Sequence, residues 1–221
     1  MNCIVTAGPT YEELDQVRRL TNFSTGRLGS LLANFLSERH HSATLLLGHY
    51  ATFRGEQKAG RILEFTTTAD LRVKLEQQRA EPVDAVFHAA AVSDFLFGRV
   101  YACNGKGELD EIRSGKISSH AGTLLAELTP APKIISELRS FFPAACLVGW
   151  KYEVEGDGAS VIAKARQQLA ENGTDGCVAN GPAYGPGFAL ITSRPGPGGH
   201  LAEELELFEA LEKLALERNC H

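Results

Sequence analysis

The chain has 221 residues, and 22 Lys and Arg against 27 Asp and Glu give it a formal net charge of −5. With 43% hydrophobic and 22% charged residues, its composition is that of a globular chain rather than a disordered or fibrous one. The acidic balance disfavours general binding of nucleic acid, which requires a surplus of basic side chains. No apolar run approaches the roughly 20 residues of a membrane helix, and the first residues lack the charged region of a signal peptide. We therefore expect one domain over residues 1–221, with neither nucleic acid nor membrane as a partner.

Along the chain, short apolar runs alternate with longer segments of helical period. In the first half, the pattern predicts strands and helices in this order: strand 3–7, helix 26–39, strands 43–47 and 61–66, a helix capped by Thr68 or Asp70 and ending at Arg79, and strand 83–88. In the second half, it predicts helix 132–142, strand 145–150, helix 159–172 ended by Gly173, strands 176–179 and 188–192, and a last helix with an apolar stripe of Leu201, Leu205, Phe208, Leu211, Leu214 and Ala215. This alternation predicts an α/β fold, a Rossmann-like, mostly parallel sheet with helices on both faces.

Two segments break this rhythm. Residues 97–128 have little helical period and many Gly, Ser and charged residues, which predicts a protruding flap without regular structure. Residues 182–199, rich in Pro and Gly, are predicted to form a flexible insertion.

The five cysteines are odd in number and scattered, and none is spaced as Cys-x-x-Cys. This pattern lacks metal spacing and disfavours a disulfide framework, so a reducing, cytoplasmic location is expected. Cys3, Cys146 and Cys177 lie in apolar runs, where we expect them to pack as small buried hydrophobes.

Three segments at the ends of predicted strands carry unusual chemistry, namely residues 6–10, 22–29 and 89–94. In a parallel sheet, ligands bind outside the carboxyl ends of the strands. Ser24 and Gly26 precede the first helix, whose free N–H groups would stabilise an anion, although an ordinary N-cap explains them equally well. The segment lacks the Gly-x-Gly-x-x-Gly fingerprint, and no Walker lysine follows.

Taken together, several motifs resemble those of one family, the phosphopantothenate–cysteine ligases (phosphopantothenoylcysteine synthetases). Asn22-Phe23-Ser24-Thr25-Gly26, preceded by residues 15–18, is similar to that family's Asn-x-Ser-Ser/Thr-Gly signature. Its other blocks are matched in order by residues 89–95 (Ala-Ala-Ala-Val-Ser-Asp-Phe), 116–119, 132–135, 149–153 and 179–180. The resemblance extends from Thr6 to about Thr192, and six motifs in order are specific where one alone would be weak.

The resemblance implies a single nucleotide-binding ligase domain with a two-step reaction. A nucleoside triphosphate reacts with the carboxylate of 4′-phosphopantothenate to give an acyl-nucleotide, and the amine of cysteine then forms the amide, on the route to coenzyme A. It implies Mg²⁺ with ATP or CTP as co-substrate and a homodimer. No flavin is expected, because the chain begins directly at the first strand without the decarboxylase domain to which bacterial relatives are often fused.

The resemblance also implies roles for individual residues. Lys116 on the flap would offset charge developing on the triphosphate, Asn22 would orient the acyl-nucleotide, and Arg18 would bind a phosphate or carboxylate. The residues expected to bind the nucleotide are Gly8, Ser24, Gly26, Ala89, Ala90, Ala91, Asp94, Pro132, Trp150 and Asn180. No metal ligand is assigned to the protein.

Each of these residues also has a plainer interpretation. Lys116 could be a solvated flap lysine, and Asn22 a turn-former. Arg18 could pair on the surface with Glu13 or Asp15, and the neighbouring Arg19 makes that assignment ambiguous. Among the nucleotide-binding candidates, the plainer roles are an N-cap for Asp94, tight helix–sheet packing for the three alanines and a core aromatic for Trp150.

The nucleotide is left open between ATP and CTP. CTP-using bacterial enzymes have Asp where this chain has Lys133, and two lysines where it has Gln168 and Asn172. Several positions look more like the eukaryotic branch, which favours ATP: Ser93, Phe95, Ser118, Ser119, Lys133 and the Lys151–Glu153 pair.

Two other functions compete with the ligase. A non-catalytic nucleotide-binding relative would keep the fold and lose turnover. A short-chain-type NAD(P) reductase would need the Gly-rich fingerprint and a Tyr-x-x-x-Lys pair, and none of the five tyrosines has a lysine four positions later.

Overall fold

The computed structural model describes residues 1–113, 115–118, 120, 122–193 and 199–220. Its helices are α1 (Arg27–Glu38), α2 (Thr68–Gln77), α3 (Leu138–Phe141), α4 (Gly158–Asn172) and α5 (Glu204–Asn219). The strands of its main sheet are β1 (Asn2–Ala7), β4 (Ser42–Gly48), β5 (Arg61–Phe65), β6 (Ala85–His88), β10 (Cys146–Tyr152), β11 (Gly176–Asn180), β12 (Phe188–Thr192) and β13 (Gly199–Leu201). A hairpin contains β2 (Tyr11–Glu13) and β3 (Arg19–Thr21), and the flap contains β7 (Phe95–Cys103), β8 (Leu109–Ile112) and β9 (Thr123–Pro130).

The main sheet has eight strands in the order β13-β12-β11-β10-β6-β1-β4-β5. The six strands from β11 to β5 are parallel, and β12 and β13 are antiparallel additions at one edge. From β1 the chain moves outward through β4 and β5, then returns to β6 on the other side of β1. Strand order therefore reverses between β1 and β6, which is where a ligand crevice is expected in such a sheet.

Apolar side chains cover both faces of the sheet, as predicted. Alternate residues of β1 point to opposite sides: Val5 packs with residues of α1 and α5, and Ile4 with residues of α2 and α3. A third cluster joins α4 to β11 and β12. The predicted Rossmann-like, mostly parallel α/β fold is confirmed.

All five cysteines are free thiols, and Cys3, Cys146 and Cys177 are buried as predicted. Burial raises the pKa of each of these three thiols to about 12, so they are inert packing groups. Among the described residues, no helix is long and apolar enough to cross a membrane.

Several predicted helix boundaries were wrong. Helix α2 is capped by Thr67, whose side chain accepts from Asp70 N, rather than by Thr68 or Asp70. The predicted helix 132–142 is a 3-10 turn over Ile134–Ser136 followed by the single turn of α3. The hydroxyls of Ser136 and Ser140 bond back to main-chain carbonyls, which competes with a continuous helix.

The last helix begins later than its apolar stripe suggests. A capping box between Glu203 and Glu206 starts α5 at Glu204. Leu201 instead lies in β13, opposite Phe188, and Leu205 is 58% exposed. In contrast, α4 ends as predicted at Gly173, which takes a left-handed conformation.

The flap is not irregular, contrary to the prediction. It is an antiparallel sheet in the order β8-β7-β9. Both faces of β9 are largely exposed, so it lacks the apolar alternation that reveals a strand. The predicted insertion 182–199 includes β12 and the start of β13, and residues 194–198 lie outside the described residues.

Candidate functional site

Two of the three segments singled out in the sequence, residues 6–10 and 89–94, meet at the carboxyl ends of β1 and β6. Just past the strands, Pro9 and Ala91 form a parallel bridge. Thr10 N donates to Ala91 O at 3.1 Å, and Ala91 N donates to Gly8 O at 2.9 Å. The loop after β1 and the alanine segment after β6 thus form one continuous surface at the carboxyl edge.

Asn22 brings the third segment to the same place. Its Nδ2 atom donates to Ala91 O at 3.0 Å and to Val92 O at 3.4 Å. Thr21, the preceding residue, donates from its hydroxyl to Thr10 O at 2.9 Å. Because the amide nitrogen of Asn22 holds these carbonyls, its Oδ1 atom is the group left to accept a hydrogen bond from a ligand.

The backbones of Gly8 and Gly26 lie in close contact next to this surface. Both have a left-handed backbone, with φ of 83° and 77°. A Cβ atom on Gly26 would lie 3.3 Å from the Gly8 Cα and 3.0 Å from the Ala51 Cβ. The two loops can therefore approach each other only without side chains here.

Replacing Gly26 with alanine should lower the free energy of unfolding by about 1–3 kcal/mol, because it combines left-handed strain with contacts to two neighbours. Urea denaturation would measure the change. Gly105→Ala is the matched control, since its Cβ would meet nothing within 4 Å, and it should change stability by less than about 1 kcal/mol. Equal effects from the two variants would contradict the packing argument.

The start of α1 is suited to an anion. Gly26 is the N-cap and makes no side-chain cap bond, so the ordinary Ser or Thr N-cap considered above is not formed. Thr25 Oγ1 accepts only from Arg27 N, at 3.3 Å. No acidic residue lies in the first turn. Within the described part of the chain, the remaining first-turn N–H groups are therefore available to a negatively charged group.

Arg18 anchors the flap segment that carries Lys116. Its guanidinium lies 2.7 Å from Asp15 Oδ2, and both terminal nitrogens donate to Ile117 O at 3.2 Å. Asp15 Oδ2 also accepts from Ile117 N at 3.1 Å, and Gln16 N donates to Gly115 O. Ile117 is buried and Lys116 is exposed. The ion pair with Asp15 is thus formed, although the Asp15 side chain is buried and not on the surface, and it positions the segment around Lys116.

Asp15 is the centre of this anchor. Its partial desolvation alone would raise its pKa, but N–H bonds from Val17, Ile117 and Arg18, together with the Arg18 charge, hold the pKa of this carboxyl below its ordinary value. Asp15 therefore stays charged, and the anchor stays formed, across the neutral range.

A main-chain hydrogen bond joins Asp94 to Ala131, the residue before Pro132. Ala131 N donates to Asp94 O at 2.8 Å, and the Asp94 side chain is exposed. The N-cap role considered for Asp94 is wrong, because β7 rather than a helix follows it. Ala89 N and Ala90 N donate to Thr6 O and Thr6 Oγ1, which ties the alanine segment to β1.

Trp150 and Asn180 lie farther along the edge, on β10 and β11. Among the described residues, the buried Trp150 Nε1 and Asn180 Oδ1 atoms find no hydrogen-bond partner. Such atoms are rare in folded proteins, and a ligand at this edge would satisfy them. Trp150 also packs against the core, so both of its interpretations retain support. The structure gives neither residue a direct hydrogen bond to Asn22 or Gly8.

Gln168 and Asn172, which stand where bacterial CTP users have lysines, make short-range contacts. Gln168 Nε2 donates to Trp150 O at 3.1 Å, and Asn172 Nδ2 donates to Gln168 O at 2.6 Å. Neither brings positive charge to this side of the sheet.

A buried polar network, which was not predicted from the sequence, lies behind the alanine segment. Thr6 Oγ1 and His88 Nδ1 are 2.9 Å apart, and Thr10 Oγ1 accepts from Ser93 N at 2.9 Å. Burial lowers the pKa of His88 to about 4, so its imidazole is neutral at physiological pH. Polar residues at the end of an apolar strand were the only available signal. Across the described residues, no group of three or more His, Cys, Asp or Glu is placed to hold a metal ion.

Comparisons with known proteins identify the family of this chain. Residues 1–193 match the family described as the DNA/pantothenate metabolism flavoprotein C-terminal domain. The coenzyme A biosynthesis bifunctional protein CoaBC of Thermococcus kodakarensis is 34% identical over 181 residues, which cover 80% of this chain and 40% of that protein. The chain spans less than half the length of the curated relatives it matches.

Solved structures share the fold over nearly the whole chain. The DNA/pantothenate metabolism flavoprotein from Streptococcus pneumoniae has a TM-score of 0.83 at 26% identity, covering 98% of this chain and 99% of that one. A Cab2 mutant in complex with phosphopantothenate-cysteine has a TM-score of 0.73 at 18% identity, covering 99% and 86%, and shows the fold alone. The family resemblance drawn from the motifs is confirmed: the chain belongs to the DNA/pantothenate metabolism flavoprotein C-terminal domain family.

Proposed function

We propose that this protein joins 4′-phosphopantothenate to cysteine at the expense of a nucleoside triphosphate, in coenzyme A biosynthesis. The observation that carries the proposal is the meeting of Gly8, Asn22 and Ala91 at the point where strand order reverses. The three segments predicted to lie at strand ends, two of which carry motifs of the ligase resemblance, thus form one surface. Family membership and the coenzyme A relatives support the same function.

The proposed reaction has two steps, formation of the acyl-nucleotide and formation of the amide. A carboxylate oxygen of the acid attacks the α-phosphorus of the nucleotide, and pyrophosphate leaves with the electron pair of the broken P–O bond. The amine of cysteine then attacks the acyl carbon, the nucleoside monophosphate leaves, and the amine nitrogen loses a proton. Both steps crowd negative charge, so positive side chains and N–H donors must face the phosphates.

The residues divide into two groups along the carboxyl edge. On the side of β6, β10 and β11 lie Ala89, Asp94, Trp150 and Asn180, which we assign to the nucleotide. On the side of β1 and α1 lie Gly8 and the Ser24–Gly26 turn, with Asn22 at the boundary. The nucleotide-binding roles predicted for Gly8, Ser24 and Gly26 stay predictions, and the N–H groups at the start of α1 support them because such groups suit the phosphates of a nucleotide.

Mg²⁺ would arrive with the triphosphate, since this ion is commonly held by phosphates, water and one or two carboxylates. We propose that the carboxylate of Asp94, which is exposed, takes part. Lys116 would close over the same phosphates from the flap.

An endpoint assay tests the function directly. Purified protein, Mg²⁺, 4′-phosphopantothenate and cysteine would be incubated with ATP or with CTP, and the products identified by mass. Phosphopantothenoylcysteine with AMP or CMP is the expected result. Nucleotide binding without any product, from folded protein, would instead indicate the non-catalytic relative.

We expect ATP to be the better nucleotide. The contacts of Gln168 and Asn172 provide no cation where the CTP-using relatives have two lysines. Faster turnover with CTP in the same assay would contradict this assignment.

We also propose a homodimer formed through the flap. Four leucines on its strands, at least 37% exposed, give it an uncovered apolar surface: Leu109, Leu124, Leu125 and Leu128. A three-stranded sheet whose strand β9 is exposed on both faces gains stability when a partner covers it. Sedimentation equilibrium should give twice the chain mass of 23.9 kDa. The double variant Leu124→Asp with Leu128→Asp should lower the measured mass toward that of a single chain. A wild-type monomer at micromolar concentration would contradict the proposal.

The five free cysteines support the proposed cytoplasmic location.

A further inference from the structure

His88 is a buried polar side chain at the end of an apolar strand. It closes β6 and is only 6% exposed. Its neighbours in register are Thr6 on β1 and Gly149 on β10, and a glycine offers no side-chain partner. Within the described part of the chain, the one hydrogen bond of the imidazole joins its Nδ1 atom to Thr6 Oγ1, 2.9 Å away. Burying an imidazole costs free energy that an apolar residue at this position would avoid.

The proton of the Thr6 hydroxyl is directed at this imidazole. Thr6 Oγ1 accepts a hydrogen bond from Ala90 N at 3.1 Å. Among the described residues, its own proton has no acceptor other than His88 Nδ1. A neutral histidine has one ring nitrogen that accepts, and burial keeps His88 neutral by lowering its pKa to about 4. His88 Nδ1 therefore accepts from the hydroxyl, which leaves the lone pairs of the oxygen facing Ala90.

The Thr6 hydroxyl secures the middle of the alanine segment, Ala89–Ala91. The two outer N–H groups of this segment donate to main-chain carbonyls of β1 and the loop after it, whose positions the sheet fixes. The N–H group of Ala90 donates to a side chain instead, so its position depends on what orients that side chain. The carbonyl of Ala91, next along the chain, accepts from Asn22 Nδ2 at 3.0 Å. A rotation of the Thr6 hydroxyl would therefore disturb the place where Asn22 meets the segment.

We propose that His88 is a positioning residue that, through the hydroxyl of Thr6, holds the alanine segment in place for the ligase reaction, an inference that rests on the proposed function. His88 acts through Thr6 and not on a substrate. A misplacement of about 1 Å at a reacting site can slow a reaction by about 100-fold, and the loss of one supporting hydrogen bond allows a smaller displacement. We therefore expect an effect of about tenfold on the rate.

Two variants of similar size separate the acceptor atom of His88 from the packing of its ring. His88→Asn keeps an acceptor oxygen at the position of Nδ1, whereas His88→Leu has no polar atom. His88→Leu should lower kcat of the ligase reaction about tenfold, and His88→Asn should recover most of that loss. Urea denaturation would show that each variant is folded under the assay conditions.

Hydrogen exchange followed by NMR reports on the alanine segment without any reaction. In His88→Leu the amide of Ala90 should exchange about tenfold faster than in the wild type, because its acceptor is no longer held in one orientation. In His88→Asn it should exchange at nearly the wild-type rate. A purely structural contribution of the imidazole ring would affect both variants alike.

Thr6→Val tests the same link from the other side. Valine replaces the hydroxyl with a methyl group, so adding His88→Leu to this variant should change neither the rate nor the exchange further. Thr174→Val is the matched control, because the Thr174 hydroxyl is also buried but lies before β11 and has no partner among the described residues. It should leave both readouts at the wild-type level.

Three results would overturn the proposal: a wild-type rate in His88→Leu, equal losses in His88→Leu and His88→Asn, or additive effects of Thr6→Val and His88→Leu. Failure of the proposed function has a different signature. Faster exchange of Ala90 in His88→Leu, together with a wild-type protein that forms no product in the endpoint assay, would reject the ligase function and keep the link from His88 to the alanine segment.

Discussion

Lys116→Gln should slow formation of the acyl-nucleotide by about 10²- to 10³-fold, the usual effect of removing one group that stabilises transition-state charge. Glutamine keeps the polarity of the side chain but not the charge that would offset the triphosphate. The fold should be unaffected, because Lys116 is exposed and its segment is held by main-chain bonds of Gly115 and Ile117. Single-turnover quenched flow with ATP and 4′-phosphopantothenate would measure the rate.

Lys106→Gln provides the control for this variant. Lys106 lies on the same flap, in the turn between β7 and β8, and is also exposed. The substitution removes an equal charge and should leave the rate within about twofold, because salt screens the interactions of an exposed charge. If both lysine variants slowed the reaction alike, the flap would act through its overall charge and Lys116 would have no specific role.

Asn22→Asp should slow amide formation by about 100-fold and acyl-nucleotide formation far less. The substitution keeps an acceptor oxygen but removes the donor that holds Ala91 O and Val92 O, and it places a negative charge against those carbonyls. The acyl-nucleotide would then form without being held in line for the cysteine amine. Quenched flow of the two half-reactions separates the effects.

Asn104→Asp is the matched control for the same chemical change. Asn104 lies in the flap turn, where its side chain bonds only to neighbours within four residues, so neither half-reaction should change. The loss of the Asn22 tether should also cost about 1–2 kcal/mol of stability, which urea denaturation would show. Equal slowing of both half-reactions would reject the orienting role of Asn22.

The two neighbouring arginines show how far local sequence can specify a site. Arg18 matches the family motif, and the sequence made it a candidate for binding phosphate or carboxylate. In the structure it joins Asp15 to Ile117, 99 positions away in the chain. Arg19 was only a source of ambiguity, and in the structure its guanidinium stacks on the ring of Tyr50. Which of two adjacent cations is occupied depends on what packs against them, and a motif does not contain that information.

The sequence alone determined the fold class, the family and the buried cysteines. These follow from local information: strand and helix periods reflect which faces are apolar, and motif residues keep their order along the chain. The sequence also located the segments of Gly8, Asn22 and Ala91 at strand ends, because each segment contains Gly or polar residues that interrupt an apolar run.

Only the tertiary structure decided how those pieces meet. The contact of Asn22 with Ala91 spans 69 positions, and the Gly8–Gly26 approach depends on Ala51 from a third loop. The flap strands were hidden because neither face of β9 is buried, so no apolar alternation marks them. Hydrogen bonds between distant segments form only after the sheet has set their positions, and they leave no period in the sequence from which they could be predicted.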